Sequence, residues 1–160
     1  MVNIILACTL EGGISYKDKI PWNIKEDLNL FKIITNNSNI IMGYNTWMSL
    51  PKKPLINRTN IVLTKNNKTN MIENYPNIKI YDNIENTLKK YNNNTYYIGG
   101  SKIYNYLINN NLVTEAHISF INDKYNCDNF IKINKLREKK HTIISKQSFE
   151  KFTYMHLSFY

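Results

Sequence analysis

The sequence predicts an α/β fold, with a central, mostly parallel β-sheet that has an antiparallel edge and helices on its flanks. From the N-terminus to residue 108, short apolar runs alternate with helical patterns, as parallel strands joined by crossover helices require. Beyond that point only β patterns are read, which supplies the antiparallel edge. A chain of 160 residues suits one domain, 1–160, and can bury roughly 70% of its unfolded surface.

Residues 2–9 read as a buried strand, followed by a glycine-bearing loop that ends at Pro21. A helix is expected from Asn23, an N-cap candidate with Glu26 three residues on, as in a capping box. Ile24, Leu28, Phe31 and Ile34 follow helical spacing. Residues 39–42 form a strand, then Gly43 opens a short helix through Leu50, and Pro51 and Pro54 break the chain. Residues 60–64 are a strand and 65–70 a polar loop; 78–81 are a strand and 84–91 a helix. Residues 95–98 are a strand, Gly99 and Gly100 a turn, and 102–108 a helix. Strands at 116–121, 141–148 and 152–159 complete the chain. The asparagine tracts 92–94 and 109–111 fall at helix ends and read as loops.

Composition narrows the function. Cys8 and Cys127 lack CxxC spacing, so a disulfide framework or zinc site is disfavoured and a reducing, cytoplasmic location fits. No apolar run approaches the roughly 20 residues of a membrane span. The opening apolar stretch lacks a basic lead-in and reads as a first strand, not a signal peptide. The net charge of +9 comes from lysines scattered among Asn, Ile and Tyr, all residues with A/T-rich codons. Mutational bias therefore explains the charge without a nucleic-acid partner, although a basic surface still attracts small anions. The densest basic cluster, Lys135, Arg137, Lys139 and Lys140, is interrupted by Glu138.

Two strand–Gly–helix junctions stand out, IIMGYNTW around Gly43 and YYIGGSKIY around Gly99 and Gly100. In a parallel sheet, ligands sit beyond the carboxyl ends of the strands, where glycine permits close approach and helix N-termini present free N–H groups. Neither junction matches GxGxxG or a phosphate loop ending in GK[ST], which disfavours an ordinary Rossmann domain or P-loop NTPase. Asp27 lies on or beside the apolar face of its helix, where a carboxylate is desolvated unless a ligand meets it; the alternative is an acid that merely complements the helix dipole. His117, His141 and His156 lie in strand patterns without ligand spacing, so no metal site is expected. Ser15, Ser49 and Ser101 have no evident His–acid partners.

Eight blocks occur in order across nearly the whole chain: ILA at 5–7, IPWN at 20–23, KEDLNLFK at 25–32, IIMGYNTWMSLP at 40–51, NRTNIVLT at 57–64, YIGGSKIY at 97–104, AHISFI at 116–121 and CDNF at 127–130. Together they resemble dihydrofolate reductase. The resemblance implies an eight-stranded mixed sheet flanked by helices, and hydride transfer from NADPH to C6 of dihydrofolate with a proton added at N5. It makes Asp27, supported by Ser119, the acid that binds the pterin N3 and 2-amino group, with Trp22 the third catalytic candidate. Ile5, Leu28, Phe31, Leu50, Leu55 and Ile98 would wall the pterin pocket. Arg58 would clamp the α-carboxylate of the glutamate tail, aided by Lys32 and Lys53.

On the cofactor side the resemblance implies Ala7 and Ile14 at the nicotinamide, under a lid at 13–22 that includes Gly13, Ser15 and Ile20. Gly43, Tyr44, Asn45 and Thr46 would meet the pyrophosphate at one helix start. Ile98, Gly99, Gly100, Ser101, Lys102, Ile103 and Tyr104 would meet it at the other, with a cis Gly99–Gly100 bond. Leu63, Thr64 and Lys65 would face the adenosine 2′-phosphate. Three positions depart from the family pattern: Tyr44 stands where many bacterial members carry arginine, Ser15 where glycine is common, and Lys132 where proline is frequent. The first weakens NADPH preference over NADH unless Lys65 compensates. The implied partner is dihydrofolate and the implied state a monomer. Two other readings stay open: reduction of another heterocycle, as in the reductase domain of riboflavin biosynthesis, and a basic nucleic-acid-binding module.

Overall fold

The computed structural model describes all 160 residues. In chain order the elements are β1 (Asn3–Cys8), β2 (Gly13–Ser15), α1 (Lys25–Thr35), β3 (Asn39–Gly43), α2 (Tyr44–Ser49), β4 (Thr59–Leu63), α3 (Lys68–Asn74) and β5 (Lys79–Tyr81). Then follow α4 (Ile84–Lys90), β6 (Thr95–Tyr97), α5 (Ser101–Asn109), β7 (Glu115–Ile121), β8 (Asn129–Phe130), α6 (Ile133–Glu138), β9 (His141–Ser148) and β10 (Phe152–Phe159). Eight strands form one sheet in the order β5-β4-β3-β6-β1-β7-β10-β9. The six from β5 to β7 run parallel, and β10 and β9 are antiparallel. The mixed, mostly parallel sheet is therefore as expected. No helix is long and apolar enough to cross a membrane.

Alternate residues of each strand face opposite sides of the sheet. On one side Ile4, Leu6, Ile41, Ile61, Ala116 and Ile118 join Ile84 of α4, Ile103 and Leu107 of α5, and Ile133 and Leu136 of α6 in a 19-residue core. On the other side the apolar packing splits. Ile40, Met42 and Val62 pack with Trp47 and Met71, while Ile121 and Phe152 pack with Trp22 and Ile24. Helix α2 leaves β3 toward this second side, whereas α5 leaves β6 toward the first.

Four local expectations need correction. The capping box at Asn23 does not form: Ile24 takes the N-cap with extended backbone and no side-chain cap bond. Ile24 is 4% exposed beside Trp22, Ile121 and Phe152, and its burial, about 1.5–3 kcal/mol, outweighs a cap bond of about 1 kcal/mol. The polar loop at 65–70 turns into α3 at Lys68, held by one buried anchor, Met71. The last stretch is not all β, because Ile133 and Leu136 bury one face of α6. Lastly, β2 and β8, too short to show alternation, pair as a second small sheet.

Candidate active site

Strands β3 and β6 are neighbours, so the two glycine junctions lie side by side at their carboxyl ends. The Gly43 N–H donates to the Gly99 carbonyl at 2.9 Å, and the Gly99–Gly100 bond is cis. Because the following helices depart to opposite faces, a crevice opens between them, the switch point at which open α/β sheets bind ligands.

Two of the glycines face an opening. Gly43 (φ −75°, ψ 166°) and Gly100 (φ −88°, ψ −150°) adopt extended backbone that any residue accepts. A Cβ at Gly43 would come no nearer than 3.5 Å to any other part of the chain, and one at Gly100 no nearer than 3.6 Å. Neither strain nor internal packing requires glycine there. Both positions leave space for a group approaching from outside, the size of opening a phosphate group needs. Gly12 and Gly13 differ: Gly12 has φ +90° and its Cβ would fall 2.6 Å from the Ile131 carbonyl, while at Gly13 it would fall 2.6 Å from Cys127 Sγ. Gly99 resembles them, with φ +114° and a Cβ that would fall 3.1 Å from the Tyr104 ring, so Gly12, Gly13 and Gly99 serve the fold while Gly43 and Gly100 leave room.

Asp27 sits in the first turns of α1, half-buried. Desolvation raises its pKa above the ordinary carboxylate value, and a hydrogen bond from the Ser119 side chain draws it partly back. Ser119, 4% exposed, comes from β7, far away in sequence. Of the apolar candidates, Ile5 is buried, Phe31, Leu50, Leu55 and Ile98 are half-buried, and Leu28 is 56% exposed.

Arg58 is fixed by its own neighbours. Its Nε donates to the Ile56 carbonyl at 2.9 Å and its Nη1 to Thr35 Oγ1 at 3.0 Å, which sets the guanidinium plane. Lys53 donates to the Met48 and Leu50 carbonyls, capping the end of α2. Lys32 is exposed in the last turn of α1. Thr64 Oγ1 binds Asn66 in its own turn, and Lys65 beside it is exposed. Asn45 and Lys102 are exposed; Ala7, Tyr44, Thr46, Leu63 and Ser101 are half-buried near their strand ends. Ile103 and Tyr104 belong to the core, where the Tyr104 hydroxyl donates to the Ile5 carbonyl at 2.7 Å.

Residues 13–22 are tethered by residues beyond those singled out in the sequence. Asn129 Nδ2 donates to Ser15 Oγ at 3.0 Å, and the Lys17 N–H donates to the Asp128 carboxylate at 3.0 Å. Ile14 is half-buried and Ile20 is 63% exposed, whereas Trp22 anchors the end of the segment edge-on against Tyr125. The CDNF block contains Asp128 and Asn129, and was the signal for these tethers. Thr35, which holds Arg58, carried no sequence signal. His117 and His156, 39 positions apart, stack at 4.0 Å, and burial followed by the neighbouring His156 lowers the His117 pKa to about 4. His141 lies apart, against the Lys139 carbonyl.

Paired strand–Gly–helix junctions at a switch point, with a desolvated acid on α1, suit an α/β enzyme that takes a nucleotide cofactor. Comparison with known proteins identifies which kind. Residues 1–160 match the family model described as dihydrofolate reductase. Dihydrofolate reductase of Ureaplasma parvum is 37% identical over 134 residues, covering 84% of this chain and 83% of that protein. The Buchnera aphidicola enzyme is 39% identical over 129 residues, covering 78% and 77%. The bifunctional dihydrofolate reductase-thymidylate synthase of Paramecium tetraurelia is 36% identical over 135 residues, 82% of this chain but only 28% of that longer protein. The chain belongs to the dihydrofolate reductase family, whose members are NADPH-dependent oxidoreductases.

Proposed function

We propose that this chain reduces 7,8-dihydrofolate to 5,6,7,8-tetrahydrofolate with NADPH, acting in the cytoplasm as a single-domain monomer. The observation that carries the reading is Asp27, a desolvated carboxylate paired with Ser119 beside open apolar side chains. NADPH supplies the hydride when bound. Asp27 accepts hydrogen bonds from the pterin N3–H and 2-amino group, edge-on to the ring. Desolvation raises its affinity for a proton, and its charge when ionised favours a proton at N5, delivered through water. Ser119 keeps the carboxylate oriented. Ile5, Leu28, Phe31, Leu50, Leu55 and Ile98 cover the ring faces. Arg58, already held flat, offers a planar fork to the tail carboxylate.

Gly43 and Gly100 leave the backbone open to the pyrophosphate, with Tyr44, Asn45, Thr46, Ser101 and Lys102 beside it. Leu63, Thr64 and Lys65 face the adenosine end. The segment from Gly13 to Trp22 closes over the nicotinamide, next to Ala7 and Ile14, and excludes water. The deciding experiment follows the NADPH absorbance band with dihydrofolate added, then repeats it with NADH. Turnover with NADPH is expected, and weaker turnover with NADH if Lys65 holds the 2′-phosphate. Cofactor binding without any dihydrofolate-dependent absorbance loss would sink the proposal.

A further inference from the structure

A second polar cluster lies on the Asp27 side of the sheet, toward the N-terminal end of β7. His156 is the cross-strand partner of His117, Ser158 that of Glu115, and on the other flank Asn3 of β1 pairs with Glu115. Partners in register share a face, so Asn3, Glu115, His117 and His156 converge on one patch. His156 Nε2 and Glu115 Oε2 are 2.8 Å apart. One ligand atom from each of Glu115, His117 and His156 lies within 4.8 Å of the other two. Asn3, 7% exposed, donates Nδ2 to the Thr95 carbonyl, yet its Oδ1 accepts no hydrogen bond from the chain. Two of the chain's three histidines meet here.

The patch holds more lone pairs than protons. A carboxylate, two imidazoles and an amide oxygen share few N–H or O–H groups, and the unpartnered Asn3 oxygen marks the imbalance. A simple pin between strands explains the His156–Glu115 bond, but not a buried imidazole stacked beside it or the orphaned acceptor. We propose that Glu115, His117 and His156 form a binding site for a divalent transition-metal ion of the Zn²⁺ type.

Two imidazoles and one carboxylate are a ligand set that Zn²⁺ accepts while keeping a position open to water, whereas Mg²⁺ and Ca²⁺ favour all-oxygen sites. The supporting shell is present. His117 Nδ1 lies 2.7 Å from the Tyr154 hydroxyl and Tyr96 packs against the ring, fixing its orientation as ligating histidines require. The two rings are nearly parallel, at 19°, so their in-plane lone pairs do not converge as they stand. His156, with 20% of its side chain exposed, has room to turn its ring toward a shared ion, while His117 stays held. Because Tyr154 is the cross-strand partner of Ser119, a bound ion would clamp β7 to β10 beside the Asp27 site.

The site is independent of the reductase reading and is tested on the full chain, stripped with a chelator. Co²⁺ is titrated by visible absorption and Zn²⁺ by calorimetry. One ion per chain is expected, with a Co²⁺ ligand-field band and a Zn²⁺-dependent rise in melting temperature. His156→Asn and Glu115→Gln, each shown to be folded by circular dichroism, should weaken binding at least ~10-fold and abolish the thermal shift. His141→Asn and Cys127→Ser should leave both unchanged. Lack of a stoichiometric band, persistence of binding in His156→Asn and Glu115→Gln, or its loss in His141→Asn or Cys127→Ser would overturn the assignment.

Discussion

The two sides of the sheet are filled on different terms. Beneath α4, α5 and α6, 19 buried residues make one uninterrupted cluster. Across the sheet the apolar packing divides into groups of six and four. Asp27 and the polar row of Ser119, Tyr154, His117, His156 and Glu115 lie on that divided side. An unpaired buried polar group costs about 1–3 kcal/mol, so a face that carries chemistry cannot also be the main source of stability. Concentrating the apolar burial on one side lets the other keep desolvated groups and an open crevice.

The largest expected effect separates the two sides most sharply. Leu107→Ala, within the continuous core at 0% exposure, should cost about 2–5 kcal/mol in urea unfolding, with kcat/KM of the folded fraction changed little. A large activity loss at unchanged stability would break the division. Asp27→Asn should do the reverse, folding normally while dihydrofolate turnover falls at least ~10²-fold, as steady-state kinetics would reveal.

The glycines sharpen the same contrast at smaller scale. Gly100→Ala should leave the melting temperature near wild type but weaken NADPH by about 1–3 kcal/mol through a methyl group set into the cradle, measured by fluorescence titration. Gly12→Ala meets a backbone oxygen at φ +90° and should lose about 1–3 kcal/mol of stability instead. Equal behaviour of the two variants would remove the argument that Gly43 and Gly100 make room for a ligand.

The smallest effect concerns pH. Burial raises the Asp27 pKa, so the native state retains a proton at pH values where the unfolded chain has released it. This contribution to stability is complete below the usual aspartate value of about 3.9 and disappears as pH rises through the native pKa. Asp27→Asn should therefore be the more stable protein at neutral pH, with the gap closing on acidification, as urea titrations across pH would show. A gap that widens toward acid would mean that the carboxylate is favourably charged in the native state.

Much of the fold was legible because it rests on local pattern. The strands at Ile4–Leu6 and Ile40–Met42 are short apolar runs, and the helix after Gly100 carries its own period. α3 and α6 escaped because one or two anchors, Met71, or Ile133 with Leu136, are too few to show periodicity. Asp27, Arg58 and the glycine junctions were visible as residue types out of place or in recognisable blocks. Thr35 behind Arg58, and Lys53 turned onto the end of α2, were not, because those contacts join segments whose approach no spacing encodes.

The chain alone determined the order of elements, the acid on the apolar helix and the family blocks, since each depends on neighbours within a few residues. Tertiary structure decided which side of the sheet became the continuous core, which glycines face open space, and that residues 115, 117 and 156 meet. Those outcomes depend on strand order and register, which bring distant positions onto one face, and a linear pattern with period two or 3.6 holds no record of which strands become neighbours.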